Sequence, residues 1–248
     1  MQTLTEKLES VLEVKKTPSS GEKELFQKTQ DFVKLIGWIP GLRMVAVSNS
    51  LAMYATHAGS DIDLFIITAP RRLWIVRTLV LLASTILWVR TKPGHEAWQF
   101  CFPFFMTEKN LSLKEIALEN DVYLAYWMQT LKPIYNQYYT YGRFMEINQV
   151  FCDNTLQYTP WAEDRANMLM NNRIFLVPTR RYSWATGIGN ILSPLLSFTD
   201  NILGFISRQI IKRKIPTAGT EGIVIRDDMV KVHIPDRRWE IQERVLQD

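Results

Sequence analysis

The sequence predicts an α+β protein in which a small mixed sheet is flanked by helices and followed by a mainly helical second half. Two observations predict this class. Before residue 110, short β-branched and aromatic runs alternate with segments whose apolar residues recur at helical spacing. After residue 110, helical spacing dominates. With 248 residues, of which 47% are hydrophobic, the chain is long enough to bury a sizeable core.

The first half is predicted to open with two helices, at residues 2–15 and 21–36, separated by the turn-forming segment Thr17–Gly21. Two short runs rich in Val and Ile, Met44–Val47 and Ile62–Ile67, then have the composition of strands. The first half therefore begins with two helices and continues with two strands.

A helix at residues 71–89 and a third strand at Trp98–Met106 are predicted to follow. Pro103 lies inside this strand and has no backbone N–H to donate to a neighbouring strand. We therefore expect the third strand to lie at an edge of the sheet or to bend at Pro103.

The second half is predicted to be mainly helical, with a short hairpin near its end. We expect a domain boundary that separates residues 1–140, which carry the strands, from residues 141–248. The predicted elements are a helix from Leu111 that stops near Pro133, helical segments through Phe144, at Trp161–Asn171 and at Trp184–Lys214, a hairpin at Gly222–His233 around Asp227 and Asp228, and a C-terminal helix from about Pro235.

Two apolar segments resemble membrane spans. Leu73–Val89 contains Arg77 and has arginines at both ends, so a buried helix is favoured over a span. Trp184–Ile211 is interrupted by polar residues and Pro194, so an amphipathic helix pair is favoured. Peripheral membrane contact through this second segment is the less favoured alternative.

Cysteine content and charge indicate a cytoplasmic protein without a disulfide framework. Cys101 and Cys152 are the only cysteines, and no CxxC pair or His-rich segment suggests zinc. The N-terminus lacks the apolar run of a signal peptide. A net charge of +4 permits phosphate contacts but does not indicate nucleic acid, and sequence-specific DNA binding is not expected.

Two carboxylates on the second predicted strand are the candidate catalytic and metal-binding residues. The strand period of two puts Asp61 and Asp63 on one face, roughly 6 to 7 Å apart. A divalent cation compensates two acids at the end of a buried strand, and Mg²⁺ suits a site of oxygen ligands that also binds phosphate. The alternative is that Asp61 is a surface turn residue and Asp63 an exposed strand end. Phe65 and Ile67 are expected to continue the aspartate face, with Leu64 and Ile66 on the other face.

A polar turn ends the first predicted strand. Ser48, Asn49 and Ser50 follow Val47 and open a short helical turn. Backbone N–H groups and the Ser50 hydroxyl at such a turn can bind a polyphosphate. Arg71, which follows the carboxylate strand, is a candidate to neutralise a triphosphate, although basic helix ends are the more common explanation of such a residue.

These two segments together resemble the DNA polymerase beta-like nucleotidyltransferase superfamily. Its signature is a strand that ends in Gly-Ser, followed after about ten residues by Asp-hydrophobic-Asp on the next strand. Val45–Ser50 is similar to the first part and Ser60–Leu64 to the second. Residues 43–68 carry the resemblance, which extends loosely to about residue 107.

The resemblance implies a function and assigns site residues. It implies a nucleotidyltransferase-like core in which Asp61 and Asp63 bind Mg²⁺ that bridges a nucleoside triphosphate, such as ATP, while the turn with Ser50 holds the phosphates. The enzyme would transfer a nucleotide monophosphate to a hydroxyl of a small molecule, a protein or RNA. The sequence does not identify this acceptor.

The sequence departs from the family pattern at two positions. Asn49 replaces the family glycine, and the predicted third strand contains no acid where the family supplies a third carboxylate. Glu96 and Glu108 flank that strand, and Glu96 is the preferred catalytic candidate, although an exposed strand-end glutamate is the more common case. The alternative function is therefore a catalytically degenerate protein of the same fold that binds a nucleotide or a partner.

Overall fold

A mixed sheet of six strands organises the protein. The computed structural model describes residues 3–92, 94, 97–155, 193–215, 222–232 and 236–247. The sheet order is β4-β1-β2-β3-β6-β5, in which β2 and β3 are parallel and the other neighbours are antiparallel. The strands are β1 (Leu42–Val47), β2 (Ile62–Thr68), β3 (Phe100–Thr107), β4 (Lys132–Asn136), β5 (Val224–Ile225) and β6 (Met229–Lys231).

Helices cover both faces of the sheet, which confirms the predicted α+β class. A single 3₁₀ turn at Lys114–Ile116 precedes α5. The helices are α1 (Leu4–Val11), α2 (Ser20–Ile36), α3 (Asn49–Ala52), α4 (Leu73–Ile86), α5 (Val122–Thr130), α6 (Thr140–Thr155), α7 (Ser193–Lys214) and α8 (Arg238–Gln247).

Each face of the sheet has its own hydrophobic core. Leu64 and Ile66 of β2 face a core formed with α2 and α4. Phe65 and Ile67 face a second core, formed with α5 and with parts of α1, α6 and α8. The alternation predicted for β2 is therefore confirmed. Asp63 lies two residues before Phe65 on the same strand, so its side chain points to the face of the second core.

A buried carboxylate fixes the start of α2 and the loop before β2. Glu22 forms a capping box with Ser19, and its Oε1 accepts hydrogen bonds from the Lys15 ammonium (3.0 Å) and the Thr56 hydroxyl (2.8 Å). Burial alone would raise the pKa of Glu22, but the hydrogen bonds from Ser19, Lys15 and Thr56 lower it to about 2.

The structure corrects one prediction about strands and decides between the two alternatives of another. Residues 132–136, which fall within the helical pattern predicted for Leu111–Gln137, form the edge strand β4, where a proline is tolerated. The third strand, β3, is not an edge strand, since it pairs with β2 and with β6. The bend expected at Pro103 is confirmed as a bulge, because two β3 residues, Phe102 and Pro103, oppose the single β2 residue Leu64.

The described part of the second half completes the sheet. The predicted hairpin is confirmed as β5 and β6, and β6 pairs with β3. The predicted C-terminal helix is confirmed as α8. Trp161–Asn171 and residues 184–192 of the predicted helical segments lie outside the described residues. Within the described ranges, no helix combines the length and the apolar character needed to cross a bilayer.

Candidate metal centre

The carboxylate strand and the polar turn meet at one end of the sheet. Since β1 and β2 are antiparallel and Val47 pairs with Leu64, the residue after β1 lies beside the start of β2. The Ser48 backbone N–H and hydroxyl both donate to the Asp63 carbonyl oxygen, at 2.9 and 3.3 Å. The structure therefore brings the predicted turn and Asp63 together.

Asn49 connects this turn directly to a carboxylate. Its backbone is left-handed, with φ of +52°, a conformation that Asn tolerates better than most residues. The side-chain Nδ2 donates to Asp63 Oδ2 at 2.8 Å. Asn49 thus orients Asp63, while Ser50 follows it in the first turn of α3.

A thiol completes the cluster of side chains around Asp63. Cys101 is the register partner of Asp63 on the parallel strand β3. One candidate ligand atom each from Asp61, Asp63 and Cys101 lie within 4.8 Å of one another. The Trp98 backbone N–H donates to the Ser60 carbonyl oxygen, and the Ile62 N–H donates to the Gln99 carbonyl oxygen. These two hydrogen bonds hold the chain on either side of Asp61. The two predicted aspartates are therefore close together, with Cys101 as their neighbour.

Burial determines the electrostatics of Asp63. The residue is 4% exposed, and its Oδ1 has no hydrogen-bond partner among the residues that the structure describes. Burial raises the pKa of Asp63 to about 6, and the Asn49 amide and the Cys101 thiol oppose this increase. A buried carboxylate with an unsatisfied oxygen is costly unless a cation or a proton compensates it.

The Cys101 thiol is held in its protonated form. Burial raises its pKa, and the negative charges of Asp63 and Asp61 raise it further. A protonated thiol can donate a hydrogen bond to a carboxylate but is a poor ligand for a hard cation. Cys101 therefore acts as a neutral neighbour of the two aspartates at ordinary pH.

The cluster of Asp61, Asp63 and Cys101 is a candidate metal site. Mg²⁺ is commonly held in proteins by one or two carboxylates, with waters and substrate phosphates as its remaining ligands. Asp61 and Asp63 supply the two carboxylates, and Asp63 Oδ1 is the oxygen that lacks a described partner. The two aspartates would hold the ion without requiring Cys101.

A buried ion network lies on the same face of the sheet. Arg238 pairs with Asp121 (2.6 Å) and Asp236 (2.9 Å), and Lys231 pairs with Asp236 (2.9 Å). The network ties α8 to the N-terminus of α5 and to β6. Two basic and two acidic side chains leave it formally neutral, so its cations are already compensated.

Tyr123 of α5 interacts electrostatically with both this network and Asp63. Burial raises its pKa, and the charges of Asp63 and then Asp236 raise it further. Tyr126 and Trp127 of the same helix are buried in the second core. Tyr123 packs against that core, but it also senses the charge of Asp63.

Arg71 and Glu108 lie at the far end of the sheet. From Asp63 to Thr68, β2 extends about 16 Å, and Arg71 follows three residues later. The Glu108 backbone N–H donates to the Thr68 carbonyl oxygen, and its carboxylate pairs with Arg43 and Arg143. The structure does not bring either residue to the aspartates.

Glu96, the preferred third carboxylate, lies outside the described residues. On β3, the residue that pairs with Asp63 is Cys101. Sequence reasoning missed Cys101, although it lies inside the strand predicted to be the neighbour of the carboxylate strand. Pairing the predicted third strand with β2, with a bulge at Pro103, places Cys101 beside Asp63, and this pairing would have identified it.

Comparison with known proteins identifies no relative. No family model matches the chain, and no curated protein and no solved structure matches it. The resemblance to nucleotidyltransferases consequently depends on residues 43–68, and the arrangement around Asp63 is the basis for a functional proposal.

Proposed function

We propose that this protein is a Mg²⁺-dependent nucleotidyltransferase that transfers a nucleotide monophosphate from a nucleoside triphosphate to a hydroxyl acceptor. The observation that carries the proposal is the buried Asp63 carboxylate, whose Oδ1 lacks a described partner and whose neighbour Asp61 supplies a second carboxylate. A cation that binds here would offset both the burial of Asp63 and the repulsion between the two acids.

Each site residue has a distinct part in this proposal. Asp61 and Asp63 hold the ion, which when bound neutralises developing charge on the phosphates. Asn49 positions Asp63 through the 2.8 Å hydrogen bond, and the turn of Ser48 and Ser50 faces the phosphates. The acceptor oxygen forms a bond to the α-phosphorus, the bond to the bridging oxygen breaks, and pyrophosphate leaves. The register partner of Asp63 on β3 is Cys101, so β3 supplies no carboxylate beside Asp63 to accept the hydroxyl proton; the proton passes to solvent, and we expect slow turnover.

Nucleotide titration tests the binding step. We would titrate ATP, GTP, CTP and UTP with Mg²⁺ into the wild type, into Asp61→Asn/Asp63→Asn, and into the matched control Glu24→Gln/Asp31→Asn. The control removes two exposed acids of α2. We expect one nucleotide to bind the wild type and the control alike, and the aspartate variant at least about tenfold more weakly, since its metal ligands are neutral. Equal affinity in all three proteins, or no binding, contradicts the proposal.

A binding protein without turnover is the second candidate, and Cys101 favours it. In the family that this chain resembles, a third carboxylate comes from a later strand, whereas here a thiol pairs with Asp63. Pyrophosphate release, measured with a broad acceptor panel, separates the two candidates. Release by the wild type that is lost in Asp61→Asn supports the enzyme, and nucleotide binding without release supports the binding protein.

The proposal also places the protein in the cytoplasm. Cys101 is a free, partly buried cysteine beside the two aspartates. A reducing compartment maintains such a thiol.

A further inference from the structure

The helix α7 directs most of its large apolar side chains away from the protein, whereas Ile211 is buried and Leu203 packs against the first core. Six of these side chains are between 46% and 65% exposed and recur along one side of the helix. From the first to the last they span about 22 Å at the usual rise of an α-helix. We call this surface the outer face of α7, and it consists of Leu195, Phe198, Ile202, Phe205, Ile206 and Ile210.

Specific contacts on the opposite side fix this orientation. Asp200 is 3% exposed and accepts a hydrogen bond from the Ile75 backbone N–H at 2.8 Å, near the start of α4. Gly204 faces Trp74 so closely that an added Cβ would lie 2.6 Å from the Trp74 ring. Arg208 pairs with Asp227. The inward side of α7 therefore combines these matched contacts with Ile211, which is buried in the first core, and rotation of the helix would break them.

The charges of α7 have one sign on its exposed surface. Asp200 is the only acidic residue of the helix, and it is buried. Lys212, Arg213 and Lys214 form an exposed basic cluster in the last turn. A helix that combines an exposed apolar face with basic residues matches a surface that offers both acyl chains and negative headgroups.

We propose that the outer face of α7 docks onto an anionic lipid membrane, with the helix lying in the plane of the interface. A second copy of the chain fits this face less well, because its α7 offers the same apolar residues and the same basic cluster without an exposed acid. Anionic headgroups supply the missing negative charge. This inference does not depend on the proposed metal centre.

Vesicle co-sedimentation tests the proposal with the full-length chain. We would use phosphatidylcholine vesicles with and without phosphatidylglycerol. The wild type should bind the anionic vesicles, and Phe198→Glu/Phe205→Glu should lose this binding because charged side chains replace two apolar contacts. As a control, Leu35→Glu/Leu246→Glu changes two exposed leucines on α2 and α8 and should bind like the wild type.

The basic cluster has its own variant and control. Each basic residue near an anionic surface contributes about 1 kcal/mol, so Lys212→Gln/Arg213→Gln/Lys214→Gln should lower the partition coefficient on the order of 100-fold. The control Lys23→Gln/Lys109→Gln/Lys114→Gln neutralises three exposed lysines elsewhere and should leave it unchanged. The Asp61→Asn/Asp63→Asn variant should also bind vesicles normally, which separates this test from that of the proposed function.

Three results would overturn the proposal. The first is a wild type that ignores both kinds of vesicle or binds them equally. The second is a dimer in sedimentation velocity that Phe198→Glu/Phe205→Glu dissociates, which would assign the outer face to a second copy. The third is a monomer without vesicle binding in which Phe198→Cys is shielded from maleimide, which would assign the face to residues 156–192 of the same chain.

Discussion

Replacement of Asp63 by Asn should stabilise the metal-free protein at alkaline pH. The carboxylate is 4% exposed and its Oδ1 lacks a described hydrogen-bond partner. An asparagine side chain keeps an oxygen that can accept the hydrogen bond from Asn49. Its amide nitrogen can donate to Asp61, whose carboxylate lies within 4.8 Å of that of Asp63. The substitution therefore removes a buried charge while preserving the local contacts.

The magnitude follows from the pKa of Asp63. Burial raises it from 3.8 to about 6, so the folded protein binds this proton more tightly than the unfolded chain. The free energy of unfolding of the wild type consequently falls as the pH rises from about 4 to about 6, and then levels off. At 1.36 kcal/mol per pH unit, the ionised group costs roughly 3 kcal/mol above pH 6. For a chain of this length, that corresponds to an increase in Tm of roughly 6 to 12 °C in the variant.

Denaturation in EDTA at pH 4 and pH 8 measures this difference. We expect Asp63→Asn to exceed the wild type at pH 8 and to match it within about 0.5 kcal/mol at pH 4, where the wild-type carboxylate is mostly protonated. Asp31→Asn, an exposed substitution on α2, should have little effect at either pH. A variant that is less stable than the wild type at pH 8, or equally more stable at both pH values, would refute the reasoning.

Three further substitutions test other contacts. Glu22→Gln should destabilise the protein by about 2 kcal/mol at pH 7, because the fold stabilises Glu22 as a carboxylate. This difference should be lost as the pH falls from about 4.5 to about 2, and urea denaturation across this pH range measures it. Gly204→Ala should lower the free energy of unfolding by about 1 to 3 kcal/mol, because the added Cβ overpacks against Trp74. Gly21→Ala should stabilise α2, because a Cβ added there meets nothing within 4 Å. Thermal unfolding compares the two variants. Cys101→Asp should tighten Mg²⁺ binding by at least about tenfold in calorimetry, since it adds a carboxylate beside Asp63, and unchanged affinity would show that this position does not reach the ion.

The local features of the site could be predicted from the sequence. Strand periodicity is a local property, so the alternation along β2 placed Asp63 on the face of Phe65 and Ile67. The left-handed backbone of Asn49 is also local, and the tolerance of asparagine for this conformation is intrinsic. These features required no knowledge of how the strands pair.

The neighbours of the aspartates could not be predicted in the same way. Cys101 meets Asp63 because β3 pairs in parallel with β2 and a bulge at Pro103 sets its register. Residues far apart in sequence form the adjacent ion network, such as Arg238 and Asp121, which are 117 positions apart. Long-range pairing of this kind leaves no periodic signal in a single sequence.

The edge strand β4 shows a different reason for failure. Its five residues include Pro133 and lie between two helices, so the helical pattern of the surroundings concealed them. The strand forms because it adds to the exposed edge of β1 and buries Ile134 and Tyr135. Tertiary burial thus outweighed local propensity at this position.

Manganese binding tests the central claim most directly, since Mn²⁺ accepts the same oxygen ligands as Mg²⁺ and is detected by electron paramagnetic resonance. The sample contains the nucleotide that binds best in calorimetry, which itself lowers the free Mn²⁺ signal. We expect the wild type to lower the signal further, in proportion to the amount of protein added. Asp61→Asn/Asp63→Asn should give only the depletion caused by the nucleotide. Equal depletion by both proteins, or none beyond the nucleotide alone, would contradict a cation site at these two aspartates.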